Sequence, residues 1–306
     1  MKVVFMGTPE FAVKSLQALL DGGHAVAAVF TQPDKPVGRK HILTPPAVKI
    51  CAQQHGIPVY QPASFKDPKA LEILTAIQPD VIVVVAYGKL LPEAVLHLPK
   101  FGCVNVHASV LPKYRGASPI QWSIVCGEKQ TGVSTMQLDK GMDTGDILLT
   151  KTTEITDTDT AQTLGDRLCV MGADLLLQTL DGLKKGQITP QKQDETQASY
   201  APIIKKSDGL IDWTQSADQI NCKIRGLQTW PVAYTMAGDK MLKIYSAKVL
   251  PDVAGGCGEI LSQDKALIVA CGEDSALEIT ELQLEGSKRM PAQDFIRGRK
   301  FPFAAF

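Results

Sequence analysis

Two polar residues end an apolar segment of the sequence, Asn105 and His107 in the run Gly102–His107. In an extended strand alternate side chains share one face, so this spacing places an amide and an imidazole side by side. An amide can donate to a developing oxyanion, and an imidazole can move a proton near neutral pH, as acyl transfer requires. An anion to orient the imidazole is available in Asp143, within the glycine-flanked segment Gly141–Gly145.

Each of these residues also has a structural interpretation when it is taken alone. A histidine at a strand end is more often a hydrogen-bonded structural residue, and Asp143 could simply cap backbone amides in a turn. Tyr114 and Arg115, in the loop after His107, could form a solvated face. Their order along one chain, after an apolar strand, favours the catalytic interpretation.

The elements that would position these residues alternate between strands and helices. Apolar strands are expected at 2–6, 25–31, 80–86 and 102–106, helices from Pro9 and near 67–78, 117–126 and 160–184, and two strand-like stretches within 131–154. This alternation is typical of a parallel sheet covered on both faces. The sequence predicts an α/β fold with a Rossmann-like, doubly wound, mostly parallel sheet, whose ligands bind at the carboxyl ends of the strands.

The first strand-to-helix turn, Gly7–Ala12, argues against a dinucleotide-binding enzyme. Such a turn needs three glycines so that the pyrophosphate can approach the backbone at the helix N-terminus. Only Gly7 is present, and the carboxylate of Glu10 would repel phosphate.

The C-terminal third of the chain has a different pattern. Short strand-like runs at 232–236, 241–249, 258–262, 266–271 and 276–284 are separated by turn residues and have little helix between them. Close strand spacing of this kind predicts a small β-barrel. We predict a catalytic domain over 1–187, a polar linker over 188–206 and a barrel domain over 207–306.

Composition limits the classes of protein that the chain can represent. Its 306 residues carry 32 Lys and Arg against 32 Asp and Glu, so any nucleic-acid partner must meet local basic patches. The longest apolar run, Val81–Ala86, is too short for a membrane span. Seven cysteines without a C-x-x-C pair indicate reduced thiols rather than a zinc site or disulfide framework. We expect a cytoplasmic monomer with no membrane partner and no metal.

A basic loop at residues 33–46 follows the second predicted strand, on the same rim of the sheet as Asn105. It holds Lys35, Arg39 and Lys40 between prolines. The loop is either a stiffened basic finger or a solvated surface loop.

Several motifs together resemble the folate-dependent formyltransferase family. They are Asn105–His107, Ser109–Pro112, Arg115–Ala117 and Gly141–Asp146, with further similar stretches at Gly7–Phe11, Thr31–Pro36, Val84–Gly88, Pro119–Gln121, Ile211–Trp213 and Trp230–Pro231. The resemblance covers essentially the whole chain and is nearest to the members that act on initiator methionyl-tRNA.

The resemblance implies a reaction and a role for each site residue. The formyl donor would be 10-formyltetrahydrofolate, and the acceptor would be the α-amine of methionine on initiator methionyl-tRNA. Asn105 would donate to the oxyanion, His107 would stabilise the same charge and carry the proton, and Asp143 would orient the imidazole. The folate would contact a loop made of Ser109, Val110, Leu111 and Pro112.

The resemblance also implies how tRNA is bound. Arg39 and Lys40 in the basic loop would contact the tRNA, and the C-terminal domain would be an OB-like barrel. Two alternatives remain open: a formyltransferase that acts on an amino sugar nucleotide, which would not need the basic loop, and a non-catalytic RNA-binding protein. A folate-dependent hydrolase, with water in place of the amine, also remains possible on the sequence.

Overall fold

The chain divides into two compact units in the computed structural model, which describes residues 1–38, 41–65 and 67–306. The first unit comprises Met1–Pro119, Gln130–Glu154 and Gly165–Ala201, and the second comprises Ile120–Lys129, Ile155–Leu164 and Pro202–Phe306. Residues 188–201, within the predicted linker, are thus part of the first unit, while 202–206 belong to the second. The domain boundaries drawn from the sequence stay a prediction.

Strands and helices alternate along the first two thirds of the chain. The strands are β1 (Lys2–Gly7), β2 (Ala25–Phe30), β3 (Lys35–Val37), β4 (Ile42–Thr44), β5 (Val59–Tyr60), β6 (Val81–Val85), β7 (Cys103–His107), β8 (Gln130–Gln137) and β9 (Ile147–Glu154). The helices are α1 (Glu10–Asp21), α2 (Ala47–Gln54), α3 (Pro68–Ile77), α4 (Glu93–Leu96), α5 (Pro119–Val125) and α6 (Ala161–Lys185).

The first unit is built on a seven-stranded sheet with the order β5-β2-β1-β6-β7-β8-β9. The pairs from β5 to β7 are parallel, whereas β7 with β8 and β8 with β9 are antiparallel. The predicted Rossmann-like, mostly parallel sheet is therefore confirmed. The direction of strand succession reverses between β1 and β6, and ligands in such sheets bind beyond the carboxyl ends of the strands near this point.

Apolar residues explain why these strands lie inside the unit. All five residues of β6 are buried, and so are Val3–Met6 in β1. One face of the sheet packs in a cluster that includes Leu74 from α3 and Val95 from α4. Toward the other face, α6 comes so close that a Cβ on Gly172 would lie 2.9 Å from a methyl of Val106. Burial on both faces is what a parallel sheet requires.

The second unit contains an antiparallel sheet, which confirms the predicted C-terminal β domain. Its strands are β10 (Ala233–Ala237), β11 (Lys240–Leu250), β12 (Ile260–Gln263), β13 (Leu267–Cys271), β14 (Ser275–Leu284) and β15 (Met290–Pro291), with the main order β10-β11-β14-β13-β12. Two helices accompany the sheet, α7 (Ala217–Gly226) and α8 (Ala292–Gly298).

Helix α7 was not expected from the sequence, although its start carries a capping signal. Ser216 accepts a hydrogen bond from the backbone of Gln219, and the Gln219 side chain accepts one from the backbone of Ser216. The helix buries Ile220 and Ile224 in the same core as Trp213. Burial of this apolar face, together with the capping residues, explains why 217–226 is a helix in a domain made mostly of strands.

Among the described residues, no helix is long and apolar enough to cross a membrane. All seven cysteines lie in the described part of the chain and are free thiols.

Candidate active site

The carboxyl end of β7 presents Asn105 and His107 on one face of the sheet, as their spacing predicts. The strand lies between β6 and β8, with Asn105 opposite Met136 and His107 opposite Ser134. Asn105 is 8% exposed and His107 is 6% exposed. Within the described chain the Asn105 side chain makes no hydrogen bond. Its amide therefore keeps its donors available for a ligand.

The ring of His107 is held from two sides. Its Nε2 lies 2.9 Å from the backbone carbonyl oxygen of Tyr114. Because a carbonyl can only accept, Nε2 carries a proton and donates to it. Tyr114 has a φ of 59°, in the left-handed region that a bulky residue rarely adopts. This backbone strain lies at the contact that fixes the tautomer of His107.

The other ring nitrogen of His107 faces Asp143. The distance from Nδ1 to Oδ2 of Asp143 is 3.6 Å, which is close enough for an ion pair but too long for an ordinary hydrogen bond. Nδ1 is thus the ring nitrogen that can gain or lose a proton, and a carboxylate lies beside it. His107 and Asp143, predicted from the sequence to be neighbours, are brought together in the structure.

Asp143 is fixed by a contact with the loop that follows β7. The backbone amide of Gly116 donates to the same Oδ2 atom of Asp143 over 2.8 Å. The φ of Asp143 is 55°, a left-handed conformation that aspartate tolerates better than most residues. Two residues on, a Cβ added to Gly145 would overlap the carbonyl oxygen of Gln137, so this position needs glycine.

The loop with the four predicted folate contacts is stabilised by hydrogen bonds within the chain segment that follows β7 and to β8. Ser109 is fully buried and its hydroxyl donates to the carbonyl of Lys113 over 2.6 Å. Leu111 is buried as well, and its backbone amide donates to the hydroxyl of Ser134. Val110 and Pro112 are half-buried and keep side-chain surface exposed to solvent.

The basic loop contains a short hairpin made of β3 and β4, which the sequence analysis did not anticipate. Arg39 and Lys40, the two predicted tRNA contacts, lie outside the described residues. The base of the hairpin is anchored at Asp34, whose two carboxylate oxygens each lie 2.9 Å from Nζ of Lys49. Gln61 donates to the same carboxylate over 2.7 Å. The hydrogen bonds from Gln61 and Lys49 hold the pKa of Asp34 below its ordinary value.

Arg115 is buried, contrary to the solvated loop face that was one interpretation of this residue. It is fully buried and makes a bidentate pair with Glu195 at 2.9 and 2.7 Å. Its Nε also donates to Oε1 of Gln193 over 3.0 Å. Hydrogen bonding to Glu195 raises the pKa of Arg115, and the same contact lowers the pKa of Glu195. Neither partner, Gln193 or Glu195, was predicted from the sequence, because both lie within the predicted linker and no local pattern relates them to Arg115.

Among the described residues, no group of three or more His, Cys, Asp or Glu is placed to hold a metal ion. The side chains gathered at the end of β7 offer an amide, an imidazole and a carboxylate. Together they can donate to an anionic oxygen and exchange a proton, as transfer of an acyl group between nitrogen atoms requires.

Comparison with known proteins gives consistent matches along the chain. The family described as "Formyl transferase" matches residues 1–180, and "Formyl transferase, C-terminal domain" matches residues 203–300. The chain is 50% identical over 301 residues to "Methionyl-tRNA formyltransferase" of Citrifermentans bemidjiense, covering 98% of this chain and 94% of that protein. It is 52% identical to the protein of the same name from Trichlorobacter lovleyi, covering 97% of this chain and 94% of the relative.

A solved structure of lower identity has the same fold. The N-formyltransferase of Helicobacter canadensis, in complex with folinic acid and dTDP-3-aminofucose, superposes with a TM-score of 0.71 at 18% identity. The match covers 91% of this chain and 98% of that one.

Proposed function

The chain belongs to the formyl transferase family, and from this membership we propose that it formylates initiator methionyl-tRNA. It transfers the formyl group of 10-formyltetrahydrofolate to the α-amino group of methionine and yields N-formylmethionyl-tRNA for translation initiation. One observation carries the choice of acceptor. The chain is about half identical, over nearly its full length, to proteins named for methionyl-tRNA.

The alternatives have weaker support. The Helicobacter canadensis protein, whose structure holds an amino sugar nucleotide, shares the fold at only 18% identity. A non-catalytic RNA-binding protein would have no use for an amide, an imidazole and a carboxylate gathered at one strand end.

The residues at the end of β7 fit a formyl donor. The folate supplies an electrophilic formyl carbon, to which the methionine nitrogen bonds as the bond to the folate nitrogen breaks. Asn105 donates its free amide to the formyl oxygen as negative charge develops there. Such a donor contributes about 2.7–4 kcal/mol to lowering a barrier.

His107 moves the proton at Nδ1. Since Nε2–H donates to the Tyr114 carbonyl, Nδ1 is free to take the proton from the attacking amine and return it to the leaving nitrogen. Asp143, at 3.6 Å, stabilises the imidazolium that exists between these two transfers. Asn105 and His107 supply the charge stabilisation, so the transfer needs no metal.

The loop Ser109–Pro112 forms one wall of the folate site. Val110 and Pro112 offer the side-chain contacts, since they keep exposed surface, while Ser109 and Leu111 hold the loop in shape.

The tRNA is bound by two parts of the chain. Arg39 and Lys40, in the sequence of the basic loop, contact it, and the described part of this loop is anchored at Asp34. A second contact comes from an OB-like domain over 207–306, joined to the catalytic domain, 1–187, by the linker 188–206. We further propose that the protein is a cytoplasmic monomer, with initiator methionyl-tRNA and folate as its partners.

A direct assay tests this function. Purified protein is incubated with 10-formyltetrahydrofolate and methionyl-tRNA, and formylmethionine is measured after deacylation of the tRNA. Formylation of methionyl-tRNA is expected, and Asn105→Ala is the matched inactive control. Formylation of an amino sugar nucleotide but not of methionyl-tRNA would support the alternative instead.

A further inference from the structure

We propose that Gln193 is a positioning residue for formyl transfer, which sets the place of the Asp143 carboxylate beside His107. This inference rests on the proposed function. It assigns a role to a segment, residues 193–199, that the sequence places between the catalytic domain and the C-terminal domain.

Every polar atom of the Gln193 amide is used in connecting two loops. Its Nε2 donates to the backbone carbonyls of Asp143 over 2.8 Å and of Gly145 over 2.7 Å. Its Oε1 accepts from Nε of Arg115 over 3.0 Å. A guanidinium only donates and a carbonyl only accepts, so the orientation of the amide is determined. Gln193 therefore joins the loop after β7 to the loop that carries Asp143.

Arg115 provides the rigid side of this connection. Its side chain is fully buried, and it is paired through both terminal nitrogens with Glu195. Its backbone amide donates to the backbone carbonyl of Ser199 over 2.8 Å. The backbone amide of Tyr114 donates to the hydroxyl of the same serine over 2.9 Å. The segment 193–199 is thus bound to the residues on either side of the carbonyl that holds His107.

Asp143 needs such support because its own backbone does not fix it. Its left-handed conformation costs free energy that contacts with the surroundings must offset. The glycines on either side of it also give the backbone of this segment conformational freedom. Gly116 holds its carboxylate and Gln193 holds its carbonyl, so the residue is fixed at both ends. Displacement of a catalytic group by about 1 Å can slow a reaction on the order of 100-fold.

Gln193→Leu tests this inference, with Gln197→Leu as the matched control. Gln197 lies in the same segment, and within the described parts of the chain its side chain hydrogen-bonds to Asp194 alone. We expect kcat for methionyl-tRNA formylation to fall on the order of 10- to 100-fold in Gln193→Leu, with both KM values within twofold of the wild type. Gln197→Leu should keep the wild-type kcat. Gln193→Glu retains the acceptor for Arg115 but cannot donate to the two carbonyls, so it should resemble Gln193→Leu.

Hydrogen exchange provides a readout that does not depend on activity. The amide of Gly116, which donates to Asp143, should exchange faster in Gln193→Leu, while amides of β1 should exchange as in the wild type. If the wild type fails to formylate methionyl-tRNA, the proposed function is wrong, and the exchange result still decides the role of Gln193. Wild-type kcat together with wild-type exchange at Gly116 would overturn the inference.

Discussion

Replacing Asp143 by asparagine removes one charge beside His107 and changes little else. The amide oxygen of the new residue can still accept the hydrogen bond from Gly116, which is 2.8 Å long in the wild type. Asparagine also tolerates the left-handed backbone, with φ at 55°, as readily as aspartate does. A loss of activity in Asp143→Asn would therefore report on the carboxylate charge and not on the shape of the loop.

The geometry sets the size of the effect. Opposite unit charges separated by 3.6 Å attract each other by about 4–5 kcal/mol at an effective dielectric constant of about 20. Both side chains are largely buried, at 7% and 15% exposure, so solvent screens the pair only in part. The amide dipole of asparagine and the bond from Gly116 offset some of the loss. We expect Asp143→Asn to raise the activation free energy by about 2–4 kcal/mol, which corresponds to a fall in kcat of about 30- to 1,000-fold.

Single-turnover formylation of methionyl-tRNA at saturating folate measures this fall directly. Asp174→Asn, the same chemical change at an exposed position of α6, is the control and should keep the wild-type rate. Circular dichroism and the Tm should be unchanged in both variants, and the KM for folate should stay within about twofold. A folded Asp143→Asn variant with kcat within threefold of the wild type would refute the idea that His107 is cationic in the rate-limiting step.

Four further predictions concern other parts of the molecule. Asn105→Ala should lower kcat about 100- to 1,000-fold without lowering the Tm, because its amide hydrogen-bonds to none of the described residues; steady-state kinetics and thermal unfolding check this. Arg39→Ala should raise the KM for methionyl-tRNA on the order of tenfold at low salt and less at high salt, whereas an equal loss with a small amine acceptor would place Arg39 in the catalytic site. Because the pKa of Asp34 is lowered, its carboxylate stabilises the folded protein at pH values above the ordinary carboxyl pKa, and this stabilisation is lost as the pH falls through the lowered pKa. Asp34→Asn should therefore make the urea midpoint fall less steeply below about pH 4. Gly132→Ala should lower the free energy of unfolding by about 1–3 kcal/mol, because the new Cβ would overlap a carbonyl oxygen of β9. In the control, Gly298→Ala, the new Cβ would lie in open space, and the loss should be below about 0.5 kcal/mol.

The sheet and the spacing of its polar residues could be predicted from the sequence because both are local. Runs such as Val81–Val85 are apolar at every position, which identifies strands buried on two faces. The period of two along a strand then places Asn105 and His107 on one face before any tertiary contact is known. Their motif, with Asp143, also carried the resemblance to the formyl transferase family, which the comparisons confirm.

The contacts that hold this site were decided only by the tertiary structure. Arg115 and Glu195 are separated by 80 residues, and Gln193 and Asp143 by 50, so no local period relates the members of either pair. Sequence alone could not show that Arg115 is buried, because burial of a guanidinium depends on a carboxylate supplied by a distant segment. The same reason applies to Tyr114, whose carbonyl meets His107 only because the loop turns back through a left-handed residue. Residue types and spacing determined which groups could react, and the return of distant segments determined how those groups are held.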